Sequence, residues 1–122
     1  MILADTTVWI DHFRSAEERL QKLLAANQIL LHPFVIAELA LGSLPQRTNT
    51  LAMMDMLPQS QVARIDEVRT LIEAHSLYRR GIGLTDAHLI ASVLFDKALT
   101  LWTRDRELRD VARDLGILAN LP

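Results

Sequence analysis

Short apolar runs alternate with longer segments in which apolar and polar residues are mixed. The short runs, at residues 1–5, 28–32 and 98–103, predict buried strands, and residues 117–121 predict a last short one. In the segments between them, leucine, valine and alanine recur three and four positions apart, which is typical of helices with one buried face. Strands that alternate with helices favour a three-layer α/β/α fold with a central parallel sheet.

The helical periodicity also predicts where the helices lie and what ends them. Seven helices are expected, at residues 6–13, 16–26, 33–42, 44–57, 66–81, 84–97 and 104–116. Thr6 or Thr7 is expected to cap the first helix, and Thr85 or Asp86 the sixth, because their side-chain oxygens accept N–H groups of a first turn. Three glycines are expected to end helices: Gly42, Gly81 and Gly116.

Length and composition exclude several classes of protein. The 122 residues suit one domain, expected to span residues 1–122, and the 50% of hydrophobic residues excludes a disordered chain. The absence of cysteine excludes disulfide frameworks, zinc–thiolate sites and cysteine nucleophiles. No signal peptide is recognisable, and no apolar run approaches the roughly 18 residues of a spanning helix, so we expect a cytoplasmic protein without a membrane partner.

Three carboxylates stand where predicted strands or loops meet predicted helices. Asp5 follows the first strand and Asp105 follows the third, and the carboxyl ends of parallel strands share the edge of the sheet where ligands bind. Asp86 stands at a helix start, where a carboxylate also suits the helix dipole. Each of the three has an ordinary alternative role as a helix cap.

Glu38 is the only charged residue between positions 33 and 41. A helix that is apolar all round is buried, and a buried carboxylate is costly unless it is paired or bound to a metal. The alternative is that Glu38 lies on a narrow polar stripe or pairs with an arginine.

The four carboxylates of Asp5, Glu38, Asp86 and Asp105, if brought together, repel one another, and a divalent cation removes that repulsion. Oxygen ligands without histidine or cysteine suit Mg²⁺ or Mn²⁺.

Four segments in this order make the chain resemble PIN-domain ribonucleases, specifically the VapC-type toxins of type II toxin–antitoxin pairs. The segments, each with the residue that matches an acidic position of the family, are LADTTVWID with Asp5, HPFVIAELALG with Glu38, GIGLTDAHLIAS with Asp86 and LWTRDREL with Asp105. Together they extend over nearly the whole chain. The resemblance therefore implies a PIN-like form of the predicted fold.

The resemblance also implies an activity and partners. Such a protein is a metal-dependent endoribonuclease toxin that cuts structured RNA of the tRNA or rRNA class. Asp5, Glu38, Asp86 and Asp105 would be its catalytic residues and would hold Mg²⁺, or Mn²⁺, which activates the attacking water. A cognate VapB-like antitoxin would lay its C-terminal segment in an apolar groove beside the acids, and the chain would form a homodimer.

The chain departs from the family pattern upstream of Glu38. Many members carry a serine and a threonine where this chain has His32 and Val35. His32 either replaces that polar support or is structural. Thr103 resembles the hydroxyl with which the family orients its fourth acidic residue.

Basic and aromatic residues supply candidates for partner contacts. The formal net charge of −2 gives no general attraction to RNA, so binding requires a local basic patch. Arg79 and Arg80, close to Asp86 in sequence, are candidates. The arginines of residues 104–113 either steer RNA or form a solvated face with pairs such as Asp105–Arg109 and Arg106–Asp110. Trp9 and Phe13 lie four residues apart and belong to the core or to a partner groove.

Two other hypotheses fit parts of the sequence. A catalytically degenerate PIN domain would only bind RNA or a partner protein, and it would show little saturable Mn²⁺ binding. A receiver-like regulatory domain also places acidic residues at strand ends. That domain needs paired acids after its first strand, and residues 1–7 contain only Asp5.

Overall fold

A three-stranded parallel sheet forms the centre of the computed structural model, which describes residues 1–122. Its strands are β1 (Ile2–Ala4), β2 (Ile29–Leu30) and β3 (Thr100–Trp102). The strand order is β2-β1-β3, with Ile2 opposite both Ile29 and Thr100, so the predicted central parallel sheet is confirmed. Residues 117–121 contribute only one bridge, between Leu101 and Leu118, so the prediction of a last strand there is wrong.

Seven helices flank the sheet, and each occupies part of a segment predicted to be helical, apart from a difference of one residue at some ends. They are α1 (Thr6–Arg14), α2 (Glu18–Ala25), α3 (Pro33–Ala40), α4 (Arg47–Met56), α5 (Ile65–Ala74), α6 (Leu84–Phe95) and α7 (Arg106–Asp114). Helix α1 packs against α3, and α5 packs against α6, which in turn contacts β3. The longest helix, α6, has 12 residues, and none has the length and apolar character needed to cross a bilayer.

The caps of two helices differ from the prediction. The residue that caps α1 is Asp5, not a threonine, because its carboxylate accepts the N–H groups of Thr7 and Val8. The N-cap of α6 is Gly83, and Asp86 stands three residues inside the helix, where it accepts the Gly83 N–H. Both threonines of the first turn of α1 are thereby left for other contacts.

Two of the three glycines do not end a helix. Helix α3 ends at Ala40 with Leu41 as its C-cap, and Gly42, which follows the cap, does not take the left-handed φ with which a glycine ends a helix. Helix α5 ends at Ala74, far before Gly81, in the arrangement known as a Schellman motif. There, Ser76 has a left-handed φ of 51°, and the N–H of Leu77 donates to the carbonyl of Ile72 at 2.9 Å. Leu77 is buried in the core, so the chain leaves the helix in order to pack this side chain.

One continuous apolar core of 22 buried residues joins the sheet to the helices. Trp9 of α1 and Trp102 of β3 are its largest side chains, and neither is exposed. Leu3 and Ala4 of β1 are also fully buried. The residue that follows β1, Asp5, therefore extends from a rigid part of the molecule.

Candidate functional site

Asp5 is held at the carboxyl edge of the sheet by contacts to almost all of its polar atoms. Its backbone N–H donates to the carbonyl of Trp102 at 3.0 Å, and the residue is only 3% exposed. Its Oδ1 accepts the N–H and the hydroxyl of Thr7, at 2.9 and 2.5 Å, and more weakly the N–H of Val8. The side chain is thus a helix cap whose orientation is set by β1, β3 and α1 together.

The hydroxyl of Thr103 connects Asp5 with Asp105. It donates to Asp5 Oδ2 at 2.5 Å and accepts the backbone N–H of Asp105 at 3.1 Å. Thr103 has no exposed surface, so these contacts are shielded from water. This hydroxyl therefore contacts both acidic positions that follow the ends of β1 and β3.

Glu38 lies on the outside of α3, so the structure supports the alternative that Glu38 occupies a polar stripe of its helix. Ala37 and Glu38 are exposed, while Val35 and Leu39 face the core. The Glu38 Oε1 accepts the hydroxyl of Thr6 at 2.8 Å, from the first turn of α1. The packing of α1 against α3 thus brings Glu38 to the helix that begins at Asp5.

The other two predicted acidic residues, Asp86 and Asp105, lie at the starts of α6 and α7. Asp86 is half-buried in the first turn of α6, with its Oδ2 accepting the Gly83 N–H at 3.1 Å. Asp105 caps α7, with its Oδ2 accepting the Leu108 N–H at 2.9 Å. Asp105 is thus a cap as predicted, whereas Asp86 lies within the first turn, and each carboxylate keeps its other oxygen free of protein partners.

The charges of the other three carboxylates act on Asp86. The pKa of Asp86 is raised by burial and further by the charges of Asp105, Asp5 and Glu38, against the opposing bond from Gly83. Burial also raises the pKa of Asp5, although the hydrogen bonds it accepts favour its charged form. A cation placed among these groups would relieve both their repulsion and their desolvation.

The donor set fits a hard divalent cation that keeps part of its water shell. No three acidic or histidine side chains are close enough together to enclose an ion on their own. Mg²⁺ is usually held by one or two carboxylates with several retained waters, so an open arrangement suits it. Asp5 Oδ2 has one protein partner, and an ionised carboxylate oxygen has room for a second contact.

His32 is not part of this cluster. It is fully buried, and its Nδ1 accepts the Phe34 N–H at 2.9 Å, which caps α3. Its ring lies beside that of His88, with 6.0 Å between centroids, and its Nε2 has no partner. The pKa of His32 is lowered to about 4, first by burial and then by His88. Its role is therefore structural.

The arginines of residues 104–113 are mostly engaged within the protein. Arg104 donates to Asp11 at 2.9 Å and to Glu17 at 2.5 Å, which ties the end of β3 to the start of α2. Arg109 donates to the backbone carbonyl of Thr103 at 2.9 Å. The two predicted pairs, Asp105–Arg109 and Arg106–Asp110, do not form, and Arg113 pairs with Asp110 instead. Arg104 and Arg109 thus support the strand end that carries Thr103.

The roles of Thr6 and Thr7 differ from the prediction, in which one or the other caps α1. Thr6 donates to Glu38, whereas Thr7 donates to Asp5 and accepts the Arg104 N–H at 2.9 Å. The feature of the sequence that could have indicated these roles is the pair of hydroxyl residues that directly follows Asp5. Because Asp5 itself caps the helix, both hydroxyls are free to hold acidic side chains.

An apolar cleft of about 380 Å³ lies between α1 and the end of α3, next to Glu38. Ile10, Phe13, Leu39 and Leu44 contribute its apolar surface, and Ile10 is 38% exposed. Of the two aromatic residues of α1, Trp9 belongs to the core and Phe13 lines this cleft. The cleft shares Glu38 with the acidic cluster, so the two surfaces are continuous.

Known proteins resemble the chain over almost its whole length. The family model described as PIN domain matches residues 2–114, a span that includes all four carboxylates. The chain is 44% identical over 117 residues to "Ribonuclease VapC32" of Mycobacterium tuberculosis, in strain CDC 1551 / Oshkosh and in strain ATCC 25618 / H37Rv. Each alignment covers 96% of this chain and 94% of the relative.

Proposed function

The chain belongs to the PIN-domain family and is a VapC-type ribonuclease, and on that premise we propose that Asp5, Glu38, Asp86 and Asp105 form its metal-dependent active site. The observation that carries the proposal is the hydroxyl of Thr103, which donates to Asp5 and accepts the N–H of Asp105 at the carboxyl edge of the sheet. The raised pKa of Asp86, caused first by burial and then by the other three carboxylates, supports it. Groups with pKa values perturbed by specific charged neighbours are typical of functional sites. In this proposal the protein is a toxin endoribonuclease that acts in the cytoplasm.

The four carboxylates would hold Mg²⁺ or Mn²⁺ through the oxygens that make no cap or backbone contact. When bound, the cation supplies activation of a water nucleophile and neutralises charge on the scissile phosphate. Thr103 and Thr7 hold Asp5 in one orientation, while Thr6 holds Glu38. Neutralising the four carboxylates would also change the formal net charge from −2 to +2, which favours the approach of RNA.

The experiment that tests the proposal is RNA cleavage by the purified chain with and without divalent cations. We expect bulk tRNA or rRNA to be cut in the presence of Mg²⁺ or Mn²⁺ and to stay intact when EDTA is added, with activity returning on replenishment of the cation. Cleavage that persists in excess EDTA would contradict the proposed site. Folded protein that neither cuts RNA nor binds Mn²⁺ saturably would instead support the degenerate-domain alternative.

Thr103→Val is expected to lower the rate of cleavage about 10- to 100-fold, the usual effect of losing a partner that orients a metal-binding side chain. Valine has the shape of threonine but cannot donate to Asp5 or accept the Asp105 N–H. Initial rates of RNA cleavage measure the effect. Thr103→Ser is the matched control, since it keeps the hydroxyl, and equal loss in both variants would show that the hydroxyl has no such role.

We also propose partners for this active site. The cleft that contains Ile10 and Phe13 suits the C-terminal segment of a VapB-like antitoxin, because its apolar wall ends at Glu38 of the acidic cluster. A homodimer is part of the same proposal, and light scattering of the purified chain tests it. RNA of the tRNA or rRNA class is the proposed substrate.

Ile10→Glu is expected to weaken antitoxin binding about tenfold or more while RNA cleavage by the free chain persists. The substitution places a charge in the apolar wall of the cleft, where Ile10 is partly exposed and so not required by the core. Calorimetry with a cognate VapB-like antitoxin measures the affinity. Val62→Glu is the control, because Val62 is similarly exposed but lies outside the cleft. Equal affinities for the two variants would refute the assignment.

A further inference from the structure

A second cavity lies on the other side of Asp86, between the end of α5, residues 77–83 and the start of α6. Its volume is about 240 Å³, and its apolar lining consists mainly of Ile72, Leu77, Ile82, Leu84 and Ala87. Tyr78 and Arg79 stand at its rim and are exposed, with the tyrosine 50% accessible. Sites for drug-sized molecules usually measure about 300–1,000 Å³, so this cavity suits a smaller group.

The position of the cavity connects it to the acidic cluster. Gly83 lines the cavity, and its N–H donates to Asp86 Oδ2 at 3.1 Å. Gly81, two residues earlier, has a left-handed φ of 78°, and a Cβ there would lie 3.0 Å from the side chain of Glu107. The segment is thus packed closely against the start of α7, which Asp105 caps. A ligand in the cavity would therefore contact the segment that holds Asp86 of the proposed active site.

No hydrogen bond or ion pair engages the guanidinium of Arg79, unlike those of Arg80 and Arg104. Arg80 is paired with Asp114 at 2.8 Å, and Arg104 with Asp11 and Glu17. The Arg79 guanidinium lies 6.0 Å from the centre of the Tyr78 ring. Its backbone has a left-handed φ of 60°, a conformation that few residues with side chains adopt. The free cation and the aromatic ring therefore stand together at the mouth of an apolar cavity.

We propose that this cavity is a subsite for one unstacked nucleobase of the RNA substrate, with Tyr78 stacking on the base and Arg79 binding an adjacent phosphate. The proposal rests on the proposed ribonuclease function and adds the form of the substrate that reaches the site, a single-stranded loop or bulge. Proteins recognise unpaired RNA bases by stacking them on aromatic side chains and arginine planes. The free positive charge of Arg79 complements a phosphate.

The test measures RNA binding in an Asp5→Asn background, in which the RNA is not cut. Fluorescence anisotropy with a labelled RNA hairpin that has a single-stranded loop gives the dissociation constant. We expect Tyr78→Ala to weaken binding about tenfold or more and Tyr78→Phe to retain it, since the ring is what stacks. Arg79→Asn should weaken binding and reduce the salt dependence of the dissociation constant by the equivalent of about one phosphate contact. Asparagine is chosen because it tolerates the left-handed backbone of this residue.

Two controls identify what occupies the cavity. Arg69→Ala removes an exposed arginine of α5 that does not line it, so its affinity for the hairpin should equal that of the parent. Hairpins with abasic residues placed one at a time in the loop should lose affinity for the parent at one position. At that same position, Tyr78→Ala should show no further loss, because the stacking partner is already absent.

The outcomes separate this proposal from the function on which it rests. If the wild-type chain cuts RNA with Mg²⁺ but Tyr78→Ala and Arg79→Asn bind the hairpin as tightly as the parent, the subsite is refuted and the ribonuclease stands. If these variants lose affinity for the antitoxin and not for RNA, the cavity is a protein-binding site and the proposal is wrong. If the wild-type chain neither cuts nor binds RNA, both proposals fail.

Discussion

Asp5→Asn is expected to abolish RNA cleavage, with a loss of more than about 100-fold, in a protein that stays folded. Loss of residues that only support metal ligands already costs about 10- to 100-fold, and Asp5 is proposed to be a ligand itself. Asparagine keeps the size of the side chain and an oxygen that can accept the N–H groups of Thr7 and Val8. It removes the negative charge and replaces Oδ2, which accepts the Thr103 hydroxyl, with an amide group that can only donate.

The same substitution is expected to leave the melting temperature unchanged or higher. Burial raises the pKa of Asp5, which means that the folded protein disfavours its charged form. At neutral pH that charge therefore lowers the free energy of unfolding, and a neutral amide relieves the cost. Enzymes commonly retain such destabilising groups because activity requires them.

Cleavage rates and thermal unfolding of the same samples measure the two effects together. Asp55→Asn is the matched control, since Asp55 is exposed on α4 and makes no hydrogen bond or ion pair. Normal cleavage by Asp5→Asn would show that Asp5 is only a helix cap. A marked fall in melting temperature would show that its charge stabilises the fold, contrary to the argument from burial.

Acidification is expected to destabilise the protein through His32, by about 3 kcal/mol between pH 7 and pH 4. The pKa of His32 is lowered from 6.5 to about 4 in the folded protein. Between these values the unfolded chain binds a proton that the folded chain does not, so the free energy of unfolding falls as the pH falls. The contribution is complete above about pH 6.5 and is lost by about pH 4.

The structural reason is that protonation would place a proton on the nitrogen that caps α3. His32 Nδ1 accepts the Phe34 N–H, and the buried ring lies beside His88. His32→Asn is the control, because asparagine caps helices but does not titrate. Urea unfolding at pH 7 and pH 4 should show a difference between the two pH values that is about 3 kcal/mol smaller in the variant. Equal pH dependence in both proteins would refute the assignment.

Much of the fold followed from periodicity. Apolar runs too short for helices became β1, β2 and β3, and all seven helices lie in the segments predicted for them, give or take a residue at an end. The ends of the helices were less predictable, because they depend on contacts with residues from elsewhere in the chain. Helix α5 stops seven residues before Gly81 since Leu77 packs into the core, and no pattern local to residues 66–81 shows that demand. The extent of the domain, residues 1–122, stays a prediction.

Some features of the candidate site could likewise be predicted from the sequence, and others could not. Asp5 and Asp105 were placed at one edge because parallel strands require it, and both lie at strand ends in the structure. For Glu38 the sequence left open whether the residue is buried or lies on a polar stripe, and the structure shows that it is exposed. Which face of an apolar helix is covered depends on the elements packed against it, and α3 leaves Glu38 and Leu41 outside.

The sequence by itself determined the alternation of strands and helices and the parallel sheet, because these depend on local periodicity and on chain order. The four acidic positions stay a prediction that rests also on the resemblance to the family. Only the tertiary structure decided which hydroxyls hold the acids, Thr103 for Asp5 and Thr6 for Glu38. Thr103 and Asp5 are 98 residues apart in the chain. Contacts across such a separation arise from packing of the whole core, which no local pattern encodes.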